Sequence, residues 1–338
     1  MSLTDQFKRP LRDLRISVID RCNFRCPYCM PEDQFHHAYQ FLDKNQWLSF
    51  DEITRLVRIF VSLGVSKIRL TGGEPLLRPH LEELIEKLCQ IEGIKDLALT
   101  TNGSLLAEQA MKLKKAGLKR LTVSLDSLDP DVFKRLSGGK GAVDKVLAGI
   151  EAARYVGFES VKINAVIQRG VNDHTYMDLV RYARKEGHTI RFIEYMDVGN
   201  QNHWDKNQVV PSSEIIETIK ASYPLRPIGG TEGGETSERF KFDDGSAELG
   251  FVSSVSHPFC GTCNRSRLSA DGKMYTCLFS GKGTDLTEYL RSSADDAFLS
   301  HLIQVIWMKR DDRYSELRAQ FQKEHRQLNK VEMFQIGG

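Results

Sequence analysis

The sequence predicts an α/β fold in which a parallel sheet closes wholly or partly into a barrel. Two observations carry that prediction: β-branched runs alternate with helical patterns over the first part of the chain, and glycines stand where the helices should stop. The runs are LRISVID, SKIRLT, KDLALTT, LKRLTVSL, SVKINAVI and TIRFIEYM, with DEITRLVRIFVSLG, HLEELIEKLC and TYMDLVRYARKEG among the helical segments. Gly64, Gly117 and Gly157 are the stops, because glycine takes the left-handed conformation past a helix end without a Cβ penalty. Such alternation gives parallel strands with helical crossovers, and six units suit a barrel; a flat doubly wound sheet is the alternative. After Gly199 the texture changes. QNHWDKNQVVPSSE is polar, and RPIGGTEGGETSERFKFDDGSAELGFVSS alternates like hairpins with glycine-rich turns. DDAFLSHLIQVIWM reads as an amphipathic helix, and KRDDRYSELRAQFQKEHRQ after it as a solvated helix face.

Length and charge narrow the function. A chain of 338 residues, 41% hydrophobic, can bury one large core with an appendage. Its 47 basic and 45 acidic residues leave a formal charge of +2, so no global field marks a nucleic-acid coat or a membrane-surface binder, and any anion site must be local. MSLTDQFKRPLRDL carries no apolar signal region, and no apolar run approaches a membrane span, which predicts a soluble, cytoplasmic protein. In that reducing compartment, clustered cysteines are metal ligands or redox groups more often than disulfide partners, and the odd count of seven agrees.

Cys22, Cys26 and Cys29 follow the first predicted strand, where barrels place their chemistry. A zinc site would need a fourth ligand, for which His36 or His37 is available. A 4Fe-4S cluster on three thiolates would instead leave one iron open to a small ligand. Unligated, three thiols in an exposed loop would be a reactive liability. Cys260, Cys263 and Cys277 form a second trio. RSRLSADGKMYT between the last two reads as a hairpin with an Asp-Gly turn that folds Cys277 back beside the CxxC, and His257 is again a possible zinc ligand. Cys89 reads as a buried helix residue.

Cations inside strands supply an independent clue. Strands covered on both faces should be nearly continuous apolar runs, yet Arg15, Lys67, Arg69, Lys162 and Arg191 fall in four of them, and Lys67, Arg69 and Thr71 share one face by the period of two. Convergent buried cations imply an anionic partner, whereas single ones could sit on a solvated rim or pair with nearby carboxylates. With Arg265 and Arg267 added, the expected ligand is highly charged, such as a nucleoside triphosphate.

CxxxCxxC with Tyr28 before the last cysteine, followed at the second strand by TGGEP from Thr71 to Pro75, resembles the radical S-adenosylmethionine superfamily. The paired glycines are read as letting a ligand approach the backbone. The second cysteine trio, CNRSRL and the terminal IGG narrow the resemblance, over essentially the whole chain, to the GTP 3′,8-cyclase family of molybdenum cofactor biosynthesis. That resemblance implies an incomplete (βα)6 TIM-like barrel over residues 1–245 and a smaller α+β region over 246–338 carrying a second cluster and a diglycine tail. It implies two 4Fe-4S clusters, on Cys22, Cys26 and Cys29 and on Cys260, Cys263 and Cys277. S-adenosyl-L-methionine would lie against Tyr28, Gly73, Ser124 and Met196. GTP would meet Arg15, Arg69, Thr100, Lys162, Arg265, Ser266 and Arg267, and more loosely Lys67 and Arg191. Gly337 and Gly338 would act with Arg15 in a step after the first hydrogen abstraction. The implied partners are a reducing electron donor, a second copy of the chain in a homodimer, and the downstream cyclic pyranopterin monophosphate synthase. A radical maturase acting on a peptide, a non-catalytic iron–sulfur electron carrier and a zinc-dependent nucleic-acid module are the competing readings; the last would need basic surface stripes that a near-neutral chain does not show.

Overall fold

A computed structural model of the chain describes residues 3–229, 234, 236–324 and 329–338. The six predicted strands are β1 (Asp13–Ser17), β2 (Lys67–Thr71), β3 (Asp96–Thr101), β4 (Arg120–Ser124), β5 (Val161–Ile167) and β6 (Thr189–Glu194). They pair in chain order and all in parallel. The crossovers hold α1 (Phe50–Ser62), α2 (Leu81–Cys89), α3 (Leu106–Lys115), α4 (Pro130–Leu136), α5 (Val143–Tyr155) and α6 (Tyr176–Glu186). Helix α1 starts at a capping box, in which Ser49 and Glu52 each satisfy the other's backbone N–H. Gly64, Gly117 and Gly157 stand one residue past the caps of α1, α3 and α5, with φ of +110°, +97° and +92°, as the stop signal requires.

Beyond α7 (Ser212–Ser222), the strands β7 (Leu225–Ile228), β8 (Glu238–Phe242) and β9 (Glu248–Val252) form the expected antiparallel meander. The glycine-rich turn between β7 and β8 lies largely outside the described residues. β10 (Arg265–Leu268), β11 (Lys273–Tyr275) and β12 (Thr284–Asp285) form a second one, turning at Asp271-Gly272 with Gly272 at φ +80°. Neither makes a sheet of its own. β9 adds in parallel to β6 and β10 in parallel to β1, giving one open twelve-stranded sheet in the order β12-β11-β10-β1-β2-β3-β4-β5-β6-β9-β8-β7. The result is a parallel barrel left incomplete between β10 and β9, and the same sheet runs across residues 245 and 246.

Four further helices, α8 (Thr287–Leu290), α9 (Asp296–Met308), α10 (Tyr314–Lys323) and α11 (Met333–Ile336), complete the chain. Among the described residues no helix is long and apolar enough to cross a membrane. Outward-facing strand residues such as Leu14, Ile16, Ile68, Leu70, Leu97 and Leu99 pack against the helices as one core. Two expectations fail here. Cys89 is exposed, because it ends α2 off the buried stripe of Leu81, Leu84, Ile85 and Leu88, and its thiol reaches only the Gly117 carbonyl. The charged run after α9 is not simply a solvated face. Arg310 and Arg318 are both 4% exposed, held by Asp5 and Asp197.

Arg310 also lies 4.6 Å from the Trp307 ring, whose Nε1 donates to the Arg9 carbonyl. Trp307 is wholly buried and joins α9 to the N-terminal segment. Replacing it with alanine is expected to remove about 3–5 kcal/mol of stability, read as a lower urea midpoint.

Candidate active site

The loop that follows β1 is held by its own hydrogen bonds. Arg25 donates from Nη1 to the Cys22 carbonyl (2.7 Å) and from Nε to the Phe35 carbonyl (2.8 Å), and Cys29 and Met30 close a turn onto the Cys26 carbonyl at 3.0 and 2.8 Å. The β2 loop lies directly beneath. A Cβ on Gly72 would strike the Ile19 carbonyl, and one on Gly73 the Arg21 carbonyl. What comes closest to these glycines is the chain's own cysteine loop, and both glycines also line the cavity. Glu74, 1% exposed, then ties this loop to β3 by accepting from the Thr101 hydroxyl (2.7 Å), Asn102 N (2.7 Å) and Leu76 N (3.0 Å). Burial pushes its carboxyl up to about 7 against those bonds.

All six predicted ligand cysteines line one cavity of about 290 Å³. Its wall includes Tyr28, Gly73, Ser124 and Met196, and Arg15, Arg69, Thr100, Arg191, Arg265, Arg267 and Gly338 as well. A second space of about 550 Å³ adjoins it through Arg15, Arg69, Arg191 and Arg265, and there Lys67 and Lys162 are found. Ser266 is not brought in. It sits between two inward arginines, is wholly buried and donates to the Tyr275 carbonyl at 3.3 Å. Gly337 lies against Thr71, and its carbonyl accepts from Arg267.

Strand register arranges the cations in rows. In the outer row Arg265 faces Asp13, Asp13 faces Lys67 and Lys67 faces Asp96, so charges alternate. One pair further along, Arg267, Arg15 and Arg69 stand side by side on three strands, ending at Ala98. Like charges directly opposite each other are destabilising, and this row has no carboxylate within it. Arg15 Nε, Arg69 Nε and Asn164 Oδ1 are buried without a hydrogen-bond partner. Burial, then Arg267 and Arg265, hold Arg15 well below its ordinary value; burial and Arg265 bring Arg267 to about 10. Lys162 is lowered to about 7 by burial, then by Arg191, Arg120 and Arg69. Orphaned donors beside unbalanced cations fit a polyanionic ligand.

The thiol trios sit at opposite ends of the β1–β10 ladder. Cys22 lies beyond the last residues of β1, while Cys263 precedes the first residue of the parallel β10 and Cys277 follows the antiparallel β11 back to that end. Their surroundings differ. Burial, then Glu74, push Cys22 up to about 12. At Cys263 burial acts upward too, but Arg265, whose Nη2 is 3.2 Å from the sulfur, and Arg310 outweigh it and hold the thiol at about 6. Among the described residues no three His, Cys, Asp or Glu side chains converge closely enough for one ion. His36, His37 and His257 are exposed and line neither cavity, so the zinc readings lose their fourth ligands. Three soft thiolates spread around one cavity suit a cluster, whose irons are separate binding points.

Several site residues left no mark in the sequence. Asp126, pushed up to about 6 by burial, accepts from the Tyr28 hydroxyl (2.7 Å) and from Val166 N (2.8 Å), fixing the tyrosine of the first loop. Arg9 and Arg310 donate to the carbonyls of Cys260 (2.8 Å) and Cys263 (2.7 Å) while sharing Asp5. Only the i,i+4 spacing of Asp5 and Arg9 could have signalled this.

An incomplete parallel barrel presenting three thiols over an interior of unbalanced cations fits the radical S-adenosylmethionine enzymes that the sequence resembles. Known proteins agree. The family model for the radical SAM superfamily matches residues 16–183, and that for Molybdenum Cofactor Synthesis C matches 188–316. The chain is 53% identical over 336 residues to the GTP 3′,8-cyclase of Xanthomonas campestris pv. campestris strain B100, covering 99% of this chain and 97% of that one. It is 44% identical over 337 residues to that of Staphylococcus saprophyticus, covering 99% of each. In fold it is similar to Streptococcus suis SuiB bound to S-adenosylmethionine, with a TM-score of 0.60 and 16% identity over 92% of this chain and 68% of that one. The chain belongs to the GTP 3′,8-cyclase family of the radical SAM superfamily.

Lys162 gives the site a pH signature. Its folded value lies below the ordinary 10.5, so between about 7 and 10.5 the unfolded chain holds a proton that the folded one lacks, and the free protein gains stability as pH rises through that window. A bound polyanion restores the charge. Calorimetry with inorganic triphosphate in buffers of differing ionisation enthalpy is expected to show the wild type taking up more protons than Lys162→Met at roughly pH 8, with little difference between them near pH 6, so that the triphosphate's own ionisation cancels.

Proposed function

We infer that this chain converts GTP to (8S)-3′,8-cyclo-7,8-dihydroguanosine 5′-triphosphate, an early step of molybdenum cofactor biosynthesis. The observation that carries the reading is the in-register row Arg267–Arg15–Arg69 between the two thiol trios. A triphosphate supplies the negative charge that row lacks, which a neutral peptide or an electron carrier does not.

Cys22, Cys26 and Cys29 would hold a 4Fe-4S cluster, which would supply the electron for reductive cleavage of S-adenosyl-L-methionine. The chain's residues do the rest by placement. Tyr28, locked by Asp126, with Gly73, Ser124 and Met196 forms the wall for S-adenosyl-L-methionine. Arg15, Arg69, Lys162 and Lys67 hold the phosphates, with Arg191, Arg265 and Arg267 closing around them. Thr100, whose hydroxyl is 3.2 Å from Arg69 Nη1, orients that guanidinium. Ser266 acts through β10 rather than by touching the nucleotide. The nucleotide is thereby clamped with its ribose turned to the first trio and its base to Cys260, Cys263 and Cys277, where a second cluster is the best fit to the donor set. Gly337 and Gly338 reach the same space and set Arg15 and Arg267. The reading carries with it a reducing electron donor, a homodimer and a cyclic pyranopterin monophosphate synthase that consumes the product.

Two measurements test this. Anaerobically prepared protein is expected to hold two oxygen-labile iron–sulfur clusters; Cys26→Ala abolishes cleavage of S-adenosyl-L-methionine, whereas Cys263→Ala retains some cleavage and loses cyclisation. Stoichiometric zinc without iron would sink the reading. Single replacement of Arg15, Arg69 or Lys162 by alanine is expected to weaken GTP binding by roughly 1.5–3 kcal/mol, the scale of a charge-assisted hydrogen bond, with unchanged affinity in all three counting against the assignment.

A further inference from the structure

A buried polar knot stands outside the cation rows, and neither cofactor nor substrate accounts for it. Asp197, one residue after the cavity residue Met196, is 8% exposed. Its carboxylate accepts from Arg318 Nε at 2.8 Å, from Lys330 Nζ at 2.9 Å and from the Tyr314 hydroxyl. Lys330 also donates to the Asp197 carbonyl at 2.6 Å. Asn200 brackets the same residue, its Oδ1 accepting from Lys330 N at 2.9 Å and its Nδ2 donating to the Lys330 carbonyl. Asn200 N donates to Glu332 at 2.9 Å, and that carboxylate fills the place a Cβ on Gly199 would take. Arg318 completes the knot by donating to the Ser254 carbonyl at 2.9 Å.

What these bonds join is informative. Tyr314 stacks on Phe279 with ring centroids 4.4 Å apart, and Phe279 lies two residues past Cys277. Val331 N donates to the Ser280 carbonyl at 3.0 Å. One carboxylate thus connects the Met196 wall, the loop after the second trio and the last described segment of the chain. Only seven residues separate Lys330 from Gly338. Phe334 packs at 5.0 Å on Phe35 of the first cysteine loop, after which the main-chain oxygens of Gly337 and Gly338 meet Arg267 and Arg15. One residue of slip at Lys330 is up to about 3.5 Å of chain, more than a hydrogen bond to either guanidinium tolerates.

We propose that Asp197 and Lys330 form a latch that sets the register in which Gly337 and Gly338 enter the cavity, making Asp197 a positioning residue for Arg15 and Arg267. The consequence for turnover rests on the cyclase reading; the latch itself does not.

Hydrogen exchange on the cluster-loaded protein tests it. In Asp197→Asn and Lys330→Met, amides of residues 329–338 are expected to exchange at least about tenfold faster, while α9 and the first cysteine loop keep wild-type protection and iron per chain is unchanged. In turnover, cyclised nucleotide formed per 5′-deoxyadenosine is expected to fall at least about fivefold in both variants, and Lys330→Arg to recover most of the loss seen in Lys330→Met. Wild-type exchange of the tail in both variants overturns the latch. So does faster exchange spread over the whole chain, which would make the pair a general support. Should the wild type cyclise no GTP, the cyclase reading fails, and the tail exchange alone still decides the latch.

Discussion

The parallel ladder between β1 and β10 is the constraint on which the site depends. It joins residues some 250 positions apart and fixes Arg15 opposite Arg267 and Asp13 opposite Arg265. A one-residue slip would turn every side chain of β10 to the other face and present Ser266 to the cavity in place of the arginines. The ladder is unfavourable locally, because it sets Arg267, Arg15 and Arg69 side by side. It persists because neighbouring positions of the same strands, Leu14, Ile16, Ile68, Leu70 and Leu268, are buried in the common core. Hydrophobic burial on one face thus holds a charge arrangement on the other that only an anion completes.

The same pairing separates the two thiol trios. Since β10 runs parallel to β1, a trio following β1 and a trio flanking the start of β10 must fall at opposite ends of the ladder, with the arginine row between them. A ligand anchored on that row is therefore approached from both ends. The electrostatic surroundings match the separation. The first trio lies near the buried carboxyls of Glu74 and Asp126, whereas Arg9, Arg265 and Arg310 stand around the second.

The repeating part of this fold was legible because it is periodic. Six alternating runs became β1 to β6, and the period of two placed Lys67, Arg69 and Thr71 on one face. The Asp-Gly turn returned Cys277 to the CxxC because a two-strand hairpin leaves little freedom. What could not be read depends on partners distant in sequence. Nothing in DDRYSELRAQ distinguishes the buried Arg318 from its exposed neighbours until Asp197 is placed beside it. Glycines are ambiguous for the same reason: paired glycines after a strand announce close approach without saying whether a ligand, the chain's own loop or both make it.

The two terminal glycines of the tail illustrate how far such steric readings can be refined. By composition they are equivalent, and a glycine tail suits a narrow channel whatever the order. Their surroundings differ. Gly337 has φ +74°, a conformation that L side chains rarely adopt, and a Cβ there would collide with the Thr71 side chain on β2. Thr71 is buried, and on its branched side chain the colliding methyl cannot swing away without moving the hydroxyl as well. At Gly338 a Cβ would meet the Met333 side chain, its sulfur nearest at 3.1 Å, and methionine is flexible enough to yield. The fold therefore demands glycine at position 337 and merely accommodates it at 338. The demand arises from β2, the strand that also carries Arg69, so the strand that supplies the end of the arginine row also shapes the space through which the tail reaches it.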